Sequence, residues 1–232
     1  RPRTGRYSIN ANVLGVTSSG SEIDEFKAPG DETYVMTAHP RTWPREAHRV
    51  VLGFEAGVPV TLDGKKLPGI AMLQELNRRL GKYGVGRHIY TGDTTIGLKG
   101  RIVFESPGIE ALLHAHRALE ETNLTRDQNG FKGVLAHKWV ELVDRGFFYE
   151  PLKMDLESAM RSMQRFVTGE VTLETWGGAV HAVEVRSEHM LKHKNAVYAQ
   201  SADWGAADAE GFIKLFGQSA TLSARINPLV KL

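Results

Sequence analysis

Two pairs of strand-type runs, each joined by a two-residue turn containing glycine, constrain the folds open to this chain more than any other feature. Arg49–Glu55 and Val58–Asp63 meet across Ala56-Gly57, and Thr168–Thr175 and Val180–Arg186 meet across Gly177-Gly178. A turn that short joins neighbouring antiparallel strands only, because a parallel pair needs a crossover of a dozen or more residues. Tyr7–Val16 is a further strand-type run and His88–Glu105 a longer β-prone region broken at Gly92-Asp93. Residues 17–47 read as mostly loop, with one short strand near Thr33–Thr37.

Between the paired runs the hydrophobic period changes from two to 3.6. Ile70, Leu73, Leu76 and Leu80 mark the inner stripe of a first helix. Ser106-Pro107 starts a second, with the serine hydroxyl as N-cap, proline at the first helical position, and Ile109, Leu112, Leu113, His116 and Leu119 inward. A third runs from Arg126 to Asp144 with Phe131, Val134, Leu135, Trp139, Leu142 and Val143 inward, and a fourth from Pro151 to Phe166. A final amphipathic stretch starts at Ala206 and ends before Pro228. Strands in pairs and helices in runs predict an α+β fold of antiparallel hairpins packed with helices, not a doubly wound parallel sheet.

Composition removes several classes of function. Lys and Arg total 29 against 27 Asp and Glu in 232 residues, with no charge block longer than a few residues, so a nucleic-acid footprint is not indicated. The absence of cysteine excludes disulfides, thiolate metal sites and cysteine nucleophiles from this chain, and fits a reducing, cytoplasmic setting. No apolar run approaches the roughly 20 residues of a membrane-spanning helix. The first residue is Arg1, and β-type sequence begins almost at once. It reads as a fragment, a cleavage product or one subunit of a split protein.

Motifs that carry chemistry on their own are few. Gly84-Val85-Gly86 has Ile89 where a dinucleotide fingerprint has its third glycine, follows a helix and leads into a strand, so it reads as a helix end and turn. No phosphate loop and no nucleophile elbow occur. His114 and His116 are about 200° apart around a helix. His189 and His193 have i, i+4 spacing, but Met190 stands where a zinc protease has its glutamate. These histidines read as solvated or core groups, and no metal site is expected. Ser8, Thr17, Ser18, Ser19 and Ser21 form a hydroxyl-rich cluster whose plain reading is a polar loop. Lys99 and Arg101 share one side of a strand, as an anion site or a solvated edge.

Longer strings carry the reading further. Tyr7–Gly15 (Tyr-Ser-Ile-Asn-Ala-Asn-Val-Leu-Gly) resembles the strand that opens the synthetase domain of argininosuccinate synthases. Phe54–Val60, Gly84–Arg87, Ile96–Arg101, Glu105–Gly108, Ala115–Glu120 and Ala207–Leu215 resemble successive segments of that family in the same order. The resemblance implies a synthetase domain over 1–205 and a C-terminal oligomerisation helix over 206–232, with the N-terminal ATP-pyrophosphatase half absent from this chain. The implied reaction is ligation of aspartate to citrulline through an adenylate on the ureido oxygen. ATP is then a co-substrate, held with Mg mainly by the absent half, and the implied assembly is a homotetramer.

The same resemblance marks substrate contacts. Ser8 stands at a citrulline-binding serine of the family, and Thr17 keeps a hydroxyl where a second serine is expected. Ser19 replaces a glutamate, Gly92 replaces a glutamate at the amino-acid end of citrulline, and Phe104 replaces a tyrosine. Asp93, adjacent to Gly92, is the candidate replacement carboxylate. A pocket short of two carboxylates and a phenol suggests an acceptor that differs from citrulline at its amino-acid end, a citrulline-like ureido compound with a blocked or absent α-amine. A second reading, in which the fold survives as a non-catalytic binding or assembly module, fits the same losses.

Overall fold

The computed structural model describes residues 5–94, 96–193, 197 and 203–227. It divides into a compact unit ending at Leu191 and a second beginning at Lys192. In the first unit the chain order is β1 (Ser8–Asn12), β2 (Gly15–Ser19), β3 (His48–Glu55), β4 (Val58–Leu62), β5 (Lys65–Lys66), α1 (Gly69–Gly81), β6 (Arg87–Asp93), β7 (Lys99–Glu105), α2 (Pro107–Asn123), α3 (Arg126–Asp144), α4 (Pro151–Met163), β8 (Gly169–Trp176) and β9 (Ala179–Arg186). The second contains α5 (Ala206–Phe216) and α6 (Gln218–Ile226). This is the α+β architecture expected.

All strand pairs are antiparallel, in two sheets ordered β1-β2-β7-β6 and β5-β4-β3-β8-β9. The two glycine turns behave as their sequences require. Ala56 and Gly57 have φ of 46° and 79°, and Gly177 and Gly178 have φ of 58° and 86°, the left-handed pairs whose twist matches the strands they join.

The five-stranded sheet carries the main core. Val50, Leu52 and Phe54 of β3 and Val171 and Leu173 of β8 alternate inward against Met72, Leu76 and Leu80 of α1 and Ala111, Ala115 and Leu119 of α2. Alanines at i and i+4 let α2 approach the sheet closely, and each fully buried Leu or Val contributes about 1.5–3 kcal/mol of transfer free energy. A small separate core joins α3 to α4 through Leu135, Leu142 and Leu156.

Several expectations are corrected. The run Tyr7–Val16 is not one strand but a hairpin, because Asn12 Oδ1 accepts the Leu14 amide at 2.8 Å and turns the chain at Val13-Leu14. The hydroxyl cluster is therefore not loop: Thr17, Ser18 and Ser19 lie in β2. Thr33–Thr37 forms no strand: the amides of Thr33 and Tyr34 donate to Gly30 O and Asp31 O, and those of Val35, Met36 and Thr37 to the Glu105 carboxylate, instead of to a neighbouring strand. The Ser106 side chain makes no capping bond; Asn77 Oδ1 of α1 accepts the Gly108 amide at 2.8 Å in its place. Ile70, Leu113, Phe131 and Val134 are exposed, because α1 and α2 present stripes displaced from those read off the period and α3 uses a narrow face on α4. The C-terminal amphipathic stretch is two helices meeting at Gly217.

Candidate functional site: the open face of the four-stranded sheet

Register decides which residues share a surface. In this sheet Ser8 is opposite Ser19, Asn10 opposite Thr17, Thr17 opposite Phe104, Phe104 opposite His88, Ile102 opposite Tyr90, and Gly100 opposite Gly92. Side chains directly opposite one another in an antiparallel pair point to the same side, and alternation fixes the rest. Ser8, Thr17, Ser19, Gly92 and Phe104 therefore stand on one face, though they come from four strands. Every position that the resemblance marks as a substrate contact falls on that face.

The opposite face is covered. Ser18 Oγ donates to Thr33 O at 3.1 Å, and the Glu105 carboxylate accepts the amides of Val35, Met36 and Thr37 together with the Thr37 hydroxyl. Arg87 donates to Thr37 Oγ1 and to Ala38 O and stacks its guanidinium 3.9 Å from the Tyr34 ring centre. This polar packing fastens residues 31–38 beneath the sheet and fixes the strands that carry the open face. Asn77 fastens the other edge: its Nδ2 donates to Val13 O in the β1–β2 turn while its Oδ1 holds the start of α2.

On the open face the side chains of Ser8, Asn10, Thr17 and Ser19 have no hydrogen-bond partner among the described residues. Three hydroxyls and one carboxamide thus face outward, unsatisfied and uncharged, on a rigid sheet. Such groups suit a neutral ligand with several N–H donors and a carbonyl oxygen. Asn10 and Tyr90 also stand here and were not singled out from the sequence. The period-two series Ser8-Asn10-Asn12 was the signal for Asn10, readable once the strand ended at Asn12.

Asp93 stands elsewhere. It lies opposite Lys99 in the register, on the face of Arg101 and Glu105, and its Oδ1 takes the Lys99 ammonium at 2.6 Å. Arg101 donates to Lys27 O. Lys99 and Arg101 are thus each engaged within the fold. Near the open face, the Glu110 carboxylate sits between His88 at 2.9 Å and His114 at 3.0 Å.

The charged groups between α2 and α3 are paired with one another. A cleft of 520 Å³ between α2 and α3 contains the Glu120 carboxylate, which accepts from Lys132 at 2.7 Å and from Gln164 at 2.6 Å, while Arg117 pairs with Glu121. Its charges are spent on one another, so the site is placed on the sheet and not in this cleft. Among the described residues no group of three or more His, Asp or Glu converges as metal ligands. The turn through Gly84 and Gly86 packs closely against the protein's own residues. A side chain at Gly84 would run into the Trp43 ring, and one at Gly86 would stand 2.6 Å from Ser106 C. These glycines admit the protein's own packing.

A family profile described as "Arginosuccinate synthase C-terminal domain" matches residues 7–223. The chain belongs to the argininosuccinate synthase family. It is 58% identical over 227 residues to the argininosuccinate synthase of Xanthomonas campestris pv. campestris, covering 98% of this chain and 57% of that protein. It is 55% identical over 227 residues to that of Xylella fastidiosa, with 98% and 57% covered. It is 35% identical over 219 residues to that of Pyrococcus furiosus, with 94% and 53% covered. The chain thus spans between half and three-fifths of the length of these argininosuccinate synthases. In this family member both sheets and α1 to α6 begin inside the matched region. Among the described residues no helix is long and apolar enough to cross a membrane.

Proposed function

We propose that this chain is the acceptor-binding and assembly part of an argininosuccinate synthase, a ligase of arginine biosynthesis that uses ATP to join aspartate to citrulline or a citrulline-like ureido compound. The observation that carries this reading is the single outward face on which Ser8, Thr17, Ser19, Gly92 and Phe104 are brought together with unsatisfied hydroxyls. A ureido group is neutral, planar and rich in N–H donors, and hydroxyl oxygens on a fixed sheet orient it without the desolvation cost of a buried charge. Orientation is what the implied chemistry needs. The ureido oxygen must meet an adenylating phosphorus in line, and the amine of aspartate must then reach the same carbon as AMP leaves.

In this reading ATP and Mg are held by an ATP-pyrophosphatase half outside this chain, and Ser8 and Thr17 contact the acceptor from this side. α5 and α6 belong to assembly. Phe212, Ile213, Leu215 and Phe216 are 61–75% exposed, and none of the described residues in either helix is buried. An exposed apolar series of that size supports the reading that these helices pack against another subunit of a homotetramer. A cytoplasmic location fits a chain without cysteine.

The test is product formation by the full-length protein with ATP, aspartate and a ureido acid. Release of AMP that requires both aspartate and the ureido compound is expected. A full-length protein that binds the ureido compound but releases no AMP would instead support a non-catalytic binding module. Sedimentation of the Phe212→Asp, Leu215→Asp variant is expected to show a smaller particle than the wild type.

A further inference from the structure

Gly92 is not empty space. The Tyr90 side chain lies along the strand over it, so that a Cβ at residue 92 would stand 2.7 Å from Tyr90 Cζ. The phenol donates to Asp93 O at 3.0 Å, which holds the ring in that position. The open face therefore ends, beyond the hydroxyls, in an aromatic ring that occupies the place of any side chain from residue 92.

The charge balance of that end is as informative as its shape. Around Tyr90 and Gly92 the face offers Ser8, Asn10, Thr17 and Ser19, all neutral; its one titratable imidazole among the described residues, His88, is paired with Glu110. Asp93 is paired with Lys99 on the other side of the sheet, and Glu110 with His88 and His114. An ammonium brought against this surface would lose water and gain no anion, which is costly. An acyl group would find the Tyr90 ring and, directly opposite it in the register, Ile102.

Resting on the ligase reading above, we propose that the preferred acceptor is a ureido amino acid whose α-nitrogen is acylated and so uncharged, and that Tyr90 over Gly92 is the residue that selects it. Tyr90 acts by filling the site and by keeping a carboxylate out of it. It is a specificity residue and takes no part in the bond changes.

The test compares citrulline with α-N-acetylcitrulline as acceptors for the full-length protein, with ATP and aspartate saturating. The expected result is a kcat/KM at least about tenfold higher for the acetylated compound, a ratio that corresponds to one well-placed contact. The difference should lie in KM, because both compounds present the same ureido group. Tyr90→Phe should keep the preference, since the ring remains. Tyr90→Ser with Gly92→Glu opens the space and supplies a carboxylate, and should move the preference about tenfold toward citrulline at an unchanged unfolding midpoint. Equal or better use of citrulline by the wild type overturns the proposal while leaving the ligase reading intact. Failure to bind or consume either compound overturns both. Should the double variant not fold, Tyr90→Ser alone decides: it is expected to reduce the preference for the acetylated compound, and an unchanged ratio in that folded variant overturns the role of Tyr90.

Discussion

The two faces of the four-stranded sheet are built from the same strands and treat polar groups in opposite ways. Beneath the sheet, Ser18 and Glu105 are buried and every oxygen of the Glu105 carboxylate is used on the amides and hydroxyl of Val35 to Thr37. Above it, Ser8, Asn10, Thr17 and Ser19 are left without partners among the described residues. Adjacent residues of one strand, Thr17 and Ser18, are treated differently: the first is left without a hydrogen-bond partner on the open face and the second fastens the fold. Polar residues in strands carry function only where the fold leaves them unspent, and the register, not the residue type, tells the two apart.

That contrast can be broken by substitution. Glu105→Ala should give the largest change. It leaves three amides and a hydroxyl without an acceptor, and a loss of about 3–5 kcal/mol in denaturant unfolding is expected. A loss below about 1 kcal/mol would mean that residues 31–38 are held by other contacts. Next, Ser8→Ala and Thr17→Val on the opposite face should leave stability within about 0.5 kcal/mol while weakening acceptor use about tenfold each.

Ser18→Ala should cost about 1 kcal/mol, the worth of one buried neutral hydrogen bond, with acceptor KM unchanged. Asp93→Asn, which breaks only an exposed pair with Lys99, should alter both stability and acceptor KM least of all.

Acid sharpens the comparison from the loop side. Glu22 accepts from the Tyr7 hydroxyl and the Gly30 amide and pairs with Arg6, and the Tyr7 bond above all holds its carboxyl well below the usual carboxylate range. Its folded value lies below its unfolded one. The stabilisation is therefore full above the ordinary Glu range near pH ~4.3 and fades as pH falls below it. Glu75, held down to about 2 by Arg78 and Arg79, has the same sign. Glu22→Gln should flatten the acid limb of a stability–pH curve, leaving the part due to Glu75 and its like.

Local signals made part of this legible. The hairpins at Ala56-Gly57 and Gly177-Gly178 and the start of α4 could be read because turn glycines and Pro151 act over a few residues. The β1–β2 hairpin could not, because its turn is the apolar pair Val13-Leu14, closed by the Asn12 side chain and by Gly15, whose Cβ would collide with the backbone of Glu105. Thr33–Thr37 looked like a strand because the acceptor for the amides of Val35, Met36 and Thr37 is far away in the sequence. Ser8 and Thr17 were found by family resemblance. That they share a face required the register, and the Tyr90 ring over Gly92 required coordinates. The helical stripes of α1 and α2 were displaced because small residues such as Ala111 and Ala115, not the largest ones, set the closest approach.

The most direct test of the open face as the acceptor surface is the acceptor KM of the full-length Ser8→Ala, Thr17→Val double variant, measured beside its unfolding midpoint. The account predicts an acceptor KM raised more than about tenfold, with the midpoint and the KM values for ATP and aspartate unchanged. An unchanged acceptor KM in a folded double variant would contradict it.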